Sequence, residues 1–398
     1  MITREDALGV MLSEIVALGS ESVPTGQSVG RVVAHDIVAR ITQPPSDMSA
    51  MDGYAVRFED AAPGAELRII DAAPAGRPSA QRLSAGEAVR VFTGSVIPQG
   101  ADHVVIQEDV DLRGEVVVIA ERQPAPRNIR RAGIDFRVGD VLIEAGTRIG
   151  PAEAAVIAAA NIGTVSVRRR PRIALLASGD ELRAPGADLK PGEIISSTPH
   201  ALSAFIESWG AVAQDLGVAR DTPEAIRERI DAARDADLVV PLGGASVGDH
   251  DLMRPTFQNA GYGLRFEKVA VRPGKPTWFG VGSRNIVLGL PGNPASAIVC
   301  ALLFLKPVIL AMSGRSLTEQ REVELLPLAE DLPANGRRET FLRAKSVETD
   351  AYGRSVQPAR DQDSSLLSPF LSCDLLLQRP VDAASASRGD LAPCLKID

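Results

Sequence analysis

Three loops in the middle of the 398-residue chain combine glycine with side chains that can do chemistry. Residues 178–181 read Ser-Gly-Asp-Glu, residues 242–251 read Leu-Gly-Gly-Ala-Ser-Val-Gly-Asp-His-Asp, and residues 290–296 read Leu-Pro-Gly-Asn-Pro-Ala-Ser. Glycine lets backbone NH groups approach an anion closely. Neighbouring carboxylates can hold Mg²⁺ together with a substrate phosphate, and the start of a helix can face a phosphate. The three loops therefore predict a site for a phosphorylated, anionic ligand.

Each loop also has a purely structural interpretation, and the residues alone leave both open. Residues 178–181 are compatible with a polar turn, residues 242–251 with a structural loop, and residues 290–296 with a plain helix entry. The glycine-rich loop fits neither the Walker A pattern nor GxGxxG, which argues against a nucleotide hydrolase and a dinucleotide-binding protein. Helix capping alone explains residues 221–224, which read Asp-Thr-Pro-Glu.

A cluster of cations lies between the second and third loops, at residues 268–276. Lys268 and Arg272 are an even number of residues apart on an extended run. Because side chains of a strand alternate between two faces, both are expected on the same face. Because the chain as a whole has a net charge of −8, this cluster is the natural counter-charge for a phosphate or another oxyanion. A solvated surface strand is the alternative. The arginine run at residues 168–170 is interpreted as a solvated charge cluster.

Composition narrows the classes of function. A net charge of −8 and an aromatic content of 4% argue against a nucleic-acid-binding protein. Three cysteines without a CxxC pair argue against a disulfide framework and a structural zinc site. The longest apolar run, 297–312, contains Lys306 and Pro307 and predicts a buried helix instead of a membrane span. Residues 1–9 do not resemble a signal peptide, so the cytoplasm is the expected location.

Alternating strands and helices must position these loops. Apolar runs predict strands at 172–177, 211–218, 238–242 and 285–290, and helices at 198–209, 222–236 and 297–312. This alternation predicts a doubly wound parallel α/β sheet, in which ligands bind beyond the carboxyl ends of the strands. Short β runs predict small β domains at 41–134 and from 317 onward. Helical spacing predicts further helices at 2–18 and 151–160.

Six segments resemble the molybdopterin molybdenumtransferase family, the MoeA type that also forms the E domain of gephyrin. They occur in the family's order along nearly the whole chain, at residues 49–56 (Ser-Ala-Met-Asp-Gly-Tyr-Ala-Val), 93–94 (Thr-Gly), 178–182, 243–248, 273–276 (Pro-Gly-Lys-Pro) and 290–294. No single segment is specific, but six in order form a strong combined signal.

The resemblance implies an α/β plus β architecture. A doubly wound molybdopterin-binding α/β domain spans 171–316, with an N-terminal helix at 1–19 packed on it. A linking domain is built from 20–40 and 135–170. A β domain is inserted at 41–134, and a C-terminal β-barrel-like domain spans 317–398.

The resemblance also implies a reaction and an assembly. Such enzymes insert molybdenum from molybdate into adenylated molybdopterin and hydrolyse the adenylate with Mg²⁺, which gives molybdenum cofactor and AMP. The family forms homodimers whose active site lies between the α/β domain of one chain and the inserted domain of the other. Neither a nucleic acid nor a membrane is an expected partner.

Individual positions match the family's site residues. Catalytic roles are implied for Asp52, Thr93, Asp135, Glu181, Asp221 and Asp251. Cofactor-binding roles are implied for Gly243, Gly244, Ser246, Lys268, Arg272, Lys275, Pro291, Gly292, Asn293, Pro294 and Ser364. Glu181 and Asp251 are the implied Mg²⁺ ligands.

The chain departs from the family pattern in four places. Residues 196–198 read Ser-Ser-Thr instead of Asp-Ser-Asn, Arg272 replaces a lysine, residues 362–364 lack a glycine, and Cys373-Asp374 replaces Ala-Asn. Two other classes are weighed against the transferase. One is an enzyme that adenylates molybdopterin, which normally consists of the α/β domain alone. The other is a non-catalytic scaffold, since the gephyrin E domain also binds receptor loops.

Overall fold

A six-stranded sheet lies at the centre of the protein, in a computed structural model that describes residues 1–121, 123–243, 252–315 and 323–397. In spatial order its strands are Val212–Ala219, Arg172–Ser178, Leu238–Leu242, Ile286–Gly289, Trp278–Val281 and Gly263–Phe266. The first four strands are parallel, as predicted, whereas Trp278–Val281 pairs antiparallel with both of its neighbours, and the last two strands were not predicted. A tight turn, closed by Gly282 N donating to Asn285 O at 2.9 Å, joins the fifth strand to the fourth. A turn this short permits only antiparallel pairing.

Helices cover both faces of this sheet, which makes the fold doubly wound. Alternate residues of each strand face opposite layers. Ile173 and Leu175 are buried with Leu202 on one side, and Leu176 is buried with Ile226 on the other. The helices of the first layer are Arg4–Ser13, Thr198–Ser208 and the segments from Pro294 to Met312, and those of the second are Pro223–Ala232 and Met253–Asn259.

The most apolar helix of the described chain runs through the first layer. It consists of Pro294–Cys300, a π-helical turn at Ala301–Leu305, and Lys306–Met312. The irregular turn directly precedes Pro307, which cannot donate the usual i→i−4 bond. With a mean hydropathy of 2.3 this helix is long and apolar enough to cross a membrane, but 78% of it is buried inside the protein. The prediction of a buried helix is therefore confirmed.

A second six-stranded sheet occupies the region between residues 53 and 119. Its strands, in spatial order, are His103–Ile106, Gly53–Val56, Glu87–Val91, Glu66–Ala73, Val116–Ile119 and Val110–Arg113. Gly53 needs to be a glycine here, because a Cβ would lie within 3.0 Å of the backbone of Val105 on the neighbouring strand.

Four short two-stranded pairings lie outside the six-stranded sheets. They join Ser20–Pro24 to Thr164–Arg168, Ile37–Val38 to Val141–Ile143, Met48–Ser49 to Ile129–Arg130, and Leu182–Arg183 to Ile194–Ile195. The predicted helix at 151–160 is present as Pro151–Ala159. Single 3₁₀ turns occur at Thr25–Gln27, Phe58–Asp60, Gln107–Asp109 and Ser368–Leu371.

The third sheet includes one strand from the central part of the chain. Its order is Val271–Arg272, Glu339–Thr349, Leu375–Arg379, Leu391–Lys396 and Val323–Pro327, and Gly353–Pro358 pairs with Glu339–Thr349. Arg272 lies opposite Thr340 in parallel register. The cation segment therefore forms the edge of the C-terminal sheet instead of a separate surface strand.

The first residues of the chain support the same segment from the other side. Ile2 N donates to Lys268 O at 3.2 Å, and Ala270 N donates to Ile2 O at 2.8 Å. The helix that follows, Arg4–Ser13, is capped by Thr3, and it ends earlier than the predicted residue 18. Beyond the helix, Leu18 N donates to Met312 O at 2.8 Å, which ties the following segment to the end of the long helix.

Candidate active site

The three glycine-containing loops meet at the carboxyl edge of the central sheet, as predicted. Gly243 has a φ of +91°, and its N donates to Leu290 O at 3.3 Å. A Cβ on Gly243 would lie 3.3 Å from Ser178 O, and a Cβ on Gly292 would lie 3.2 Å from Gly243 Cα. The backbones are therefore closer than most side chains would allow. Of the predicted site residues, Gly244, Ser246 and Asp251 lie outside the described residues.

Exposed acids border this edge on two neighbouring loops. The Ser178 hydroxyl donates to Asp221 Oδ1, and the backbone NH groups of Asp180 and Asp221 each lie 3.4 Å from a carboxylate oxygen of the other residue. Helix capping had been considered a sufficient explanation for Asp221. In the structure Thr222 is the cap, accepting from Ala225 N at 3.2 Å, so the Asp221 carboxylate faces the site.

Of the two implied Mg²⁺ ligands, only Glu181 lies within the described residues. Its carboxylate oxygens lie within 3.0 Å of where a Cβ on Gly179 would be, so it folds back over the loop. Among the described residues, no group of three or more metal-ligating side chains is assembled. Mg²⁺ usually takes only one or two carboxylates and completes its shell with water and phosphate, so an exposed Glu181 fits this mode. The other implied ligand, Asp251, lies outside the described ranges.

A cleft of about 560 Å³ separates the central α/β unit from the C-terminal sheet. Its lining includes the cations Arg272, Lys275, Arg338, Arg343 and Arg379, and the acid Asp363. Arg272 and Lys275 are exposed, so their charges are available to a ligand. Lys268 does not line the cleft. It lies at the start of the cation segment, where its carbonyl accepts from Ile2 N. The cleft therefore joins two of the three predicted cations to three arginines that the sequence did not indicate.

Arg343 organises the floor of the cleft. Its side chain is buried, and its guanidinium donates to Leu366 O at 2.6 Å, Asp363 O at 2.9 Å and Asp361 O at 3.1 Å. Burial lowers the pKa of this guanidinium, which lies among carbonyl oxygens instead of carboxylates. One side chain thus fixes the backbone of residues 361–366 and adds a positive charge to the cleft.

The segment fixed by Arg343 docks onto the start of the long helix. Asn293 Nδ2 donates to Ser364 Oγ at 2.8 Å, and Ala295 N donates to Ser364 O at 3.0 Å. Ser364 therefore reaches residues 291–294 without the family's glycine. The NH group of Ala295 is consequently engaged by Ser364, so this one NH group at the helix start is not available to a phosphate.

Gly274 lies at the centre of the cation loop and has a φ of +120°. A Cβ there would come closer than 3.0 Å to Cys300 Sγ on the buried helix, a separation that real Cβ atoms essentially never show. Thr277 Oγ1 donates to Gly274 O at 2.8 Å. Burial raises the pKa of the Cys300 thiol to about 12, so this side chain supports the loop as a neutral thiol.

Asp52 and Thr93 form a pair at one edge of the second sheet. Asp52 Oδ1 accepts from both the backbone NH and the hydroxyl of Thr93, each at 2.8 Å. The backbone hydrogen bond from Thr93 is the main reason why the pKa of Asp52 lies below its usual value. Arg90 lies nearby, with its guanidinium carbon 4.8 Å from the centre of the Tyr54 ring. The pair is thus an oriented, ionised carboxylate on a different sheet from Glu181.

The remaining predicted positions are less closely connected. Asp135 is exposed, and its N donates to Gln43 O at 3.1 Å. The divergent pair at 373–374 has a structural role, because the Asp374 carboxylate accepts from Ser346 N at 2.8 Å and Ile397 N donates to Asp374 O at 2.9 Å.

Replacing Arg343 by methionine is expected to lower the free energy of unfolding by roughly 2–4 kcal/mol, because buried carbonyl oxygens lose their donors. Methionine keeps the apolar part of the side chain, so the loss reports the hydrogen bonds. Urea unfolding followed by circular dichroism measures the effect. The matched control is Arg354→Met on the same sheet, whose exposed pair with Glu324 should contribute less than about 1 kcal/mol. Equal losses of unfolding free energy in both variants would show that the hydrogen bonds of Arg343 do not stabilise the fold as expected.

Relatives of this chain match it along its whole length. Three family models match: MoeA N-terminal region (domain I and II) at residues 2–161, probable molybdopterin binding domain at 174–311, and MoeA C-terminal region (domain IV) at 326–397. A molybdopterin molybdenumtransferase from Nostoc sp. is 35% identical, covering 81% of this chain and 76% of that protein. One from Haemophilus influenzae is 30% identical, covering 98% and 97%. The solved structure of a molybdopterin biosynthesis MoeA protein from Pyrococcus horikosii gives a TM-score of 0.86 at 31% identity, covering 100% of this chain and 99% of that one.

Proposed function

Because this chain belongs to the molybdopterin molybdenumtransferase family and is a transferase of molybdenum cofactor biosynthesis, we propose that its substrates are adenylated molybdopterin and molybdate. The two dithiolene thiols replace one oxygen of molybdate, which leaves as water. A second water breaks the phosphoanhydride bond and releases AMP. The proposal includes a cytoplasmic location, a homodimer and the four-part domain division implied by the resemblance.

The cationic cleft is the observation that carries this proposal. Molybdate is a dianion, and an acidic protein must concentrate positive charge locally to bind it. Arg272 and Lys275 are exposed at the cleft, while Arg343 and Arg379 place two buried guanidinium groups behind them. Such a set neutralises an oxyanion and leaves little room for a cationic ligand.

The carboxyl edge of the central sheet suits the pterin phosphates. Gly243 and Gly292 bring two backbones together without side chains, which lets NH groups and a phosphate approach each other. The edge and the cleft are adjacent, because Ser364 lines the cleft and contacts Asn293 in the loop beside Gly292. One extended ligand can therefore reach both places.

The acids supply the hydrolytic half of the reaction. Glu181 would hold Mg²⁺, which when bound would neutralise charge on the phosphates. Asp221 is fixed by the Ser178 hydroxyl and orients the attacking water. Asp52 and Thr93 act from the second chain of the dimer, where the ionised Asp52 adds a further acceptor for water or metal. Asp135 is assigned to the same side.

The two alternative classes are not favoured. An adenylating enzyme built from the α/β domain alone does not account for family matches at residues 2–161 and 326–397. A non-catalytic scaffold does not require exposed acids and cations at one sheet edge. The whole-length relatives are named transferases.

Replacing Lys275 by glutamine is expected to weaken molybdate binding about tenfold, or roughly 1.4 kcal/mol, because one charge-assisted contact is lost. Arg272→Gln should have a similar effect. Titration calorimetry measures the affinity, and molybdate-dependent AMP release from adenylated molybdopterin measures the reaction. The control is Arg284→Gln, an exposed cation in the turn between two central strands. Unchanged molybdate affinity in both cleft variants would show that the oxyanion does not bind in this cleft.

A further inference from the structure

A second concentration of positive charge lies in a small recess between the linking region and the central α/β unit. This recess shares no lining residue with the cationic cleft. It also contains Trp209 and Gly210, which follow a helix of the α/β unit, and Gly30 from the linking region. Its arginines are Arg31, Arg148, Arg168, Arg169, Arg170 and Arg315. The run at 168–170 is therefore part of a lined recess instead of a solvated cluster.

Carboxylates compensate only some of these charges. Arg169 makes a bidentate pair with Asp237, at 2.7 Å and 3.0 Å, and Arg31 is paired with Glu21. Within the described ranges, three further arginines of the recess have no carboxylate at ion-pair distance: Arg148, Arg168 and Arg170.

One of these three arginines is oriented by a backbone contact, and a second lies close to Gly30 of the recess. Arg168 Nη1 donates to Leu18 O at 3.1 Å, which orients the guanidinium without neutralising it. Arg168 Nε lies 3.1 Å from where a Cβ on Gly314 would be, and Arg148 Nη2 lies 3.9 Å from where a Cβ on Gly30 would be. Like charges held together in this way repel each other, and a bound anion relieves that repulsion.

We propose that this arginine recess binds one small inorganic oxyanion of the phosphate or sulfate class. Its enclosed volume of about 10 Å³ accommodates one water-sized group. One oxygen of the anion therefore enters the recess, and the others face Arg148 and Arg170, which are both exposed at its mouth. Guanidinium groups suit such a ligand because they donate parallel hydrogen bonds to two of its oxygens.

The test is the stoichiometry of binding of labelled inorganic phosphate to the full chain, by equilibrium dialysis at low ionic strength. The double variant Arg148→Gln/Arg170→Gln is expected to bind one phosphate fewer per chain than the wild type. The matched control Arg82→Gln/Arg234→Gln removes two exposed charges elsewhere and should bind as many as the wild type. Equal binding by the double variant and the wild type would overturn the proposal.

A second measurement locates the anion and does not depend on a variant. Wild-type crystals soaked in tungstate should show an anomalous peak between Arg148 and Arg170. A peak only in the cationic cleft would overturn the proposal while leaving the proposed function intact. A peak only in the recess would support the proposal and contradict the oxyanion site in the cleft.

Discussion

Mixing two inactive variants, Asp52→Ala and Glu181→Ala, is expected to restore about a quarter of the wild-type rate once subunits exchange. Asp52 lies on the second sheet beside Thr93, whereas Glu181 lies at the edge of the central sheet. In a dimer that shares its sites, one site of a mixed pair carries both substitutions and the other carries neither. Random exchange makes about half of the dimers mixed, so about a quarter of all sites are intact.

Each variant alone should lose at least about a hundredfold in AMP release, equivalent to roughly 2.7 kcal/mol. The control mixture is Asp52→Ala with Thr93→Ala. These two residues act as one hydrogen-bonded pair, so every site of a mixed dimer carries one lesion and no activity returns. Native mass spectrometry confirms exchange. If the Asp52→Ala and Glu181→Ala mixture stays inactive although its subunits have exchanged, the shared site is wrong.

Gly274→Ala is expected to lower the rate at least about a hundredfold, because a displacement of about 1 Å at a binding group can cost that much. The new Cβ would come closer than 3.0 Å to Cys300 Sγ, and the backbone φ of +120° disfavours any side chain. Since Cys300 is buried in the long helix, the loop has to move and takes Arg272 and Lys275 with it. Steady-state AMP release measures the loss.

The variant Gly261→Ala is a control that introduces backbone strain without a steric clash. Gly261 has a φ of +92°, but a Cβ there would meet nothing within 4 Å. This control should cost about 1 kcal/mol of stability and leave the rate unchanged. The double variant Gly274→Ala/Cys300→Ala removes the sulfur and should recover part of the rate. A full rate in Gly274→Ala alone would show that the loop position does not matter.

The strands of the central sheet could be predicted where burial is continuous. Leu238–Leu242 is buried along its whole length and appeared as an uninterrupted apolar run with the correct bounds. The inner strand Trp278–Val281 contains Gly280, whose missing side chain accommodates Leu264 and Val287, so its signal depends on neighbours distant in sequence. Local patterns carry no information about such neighbours.

The same distinction holds for the site. Glycine-rich loops after strands are local features, and the convergence of Gly243 with Gly292 could be expected from them. The role of Arg343 could not be predicted, because its acceptors are backbone carbonyls 18 to 23 residues away. Every residue has a backbone carbonyl, so the sequence does not indicate which ones accept. Asp221 resembled a cap because its acceptor role depends on Ser178, 43 residues earlier.

The tie between Asn293 and Ser364 has a consequence for the time at which the enzyme is completed. It joins residues 71 positions apart, and the pair of Arg4 with Glu339 joins residues 335 positions apart. At a synthesis rate of about 5–20 residues per second, Arg4 waits roughly 15–70 s for its partner. The first turn of the apolar helix lacks the carbonyl of residue 364 for longer still, because that residue is made after Glu339. A growing chain therefore contains this helix, the most apolar of those described, well before the residues that complete the cationic cleft have been made.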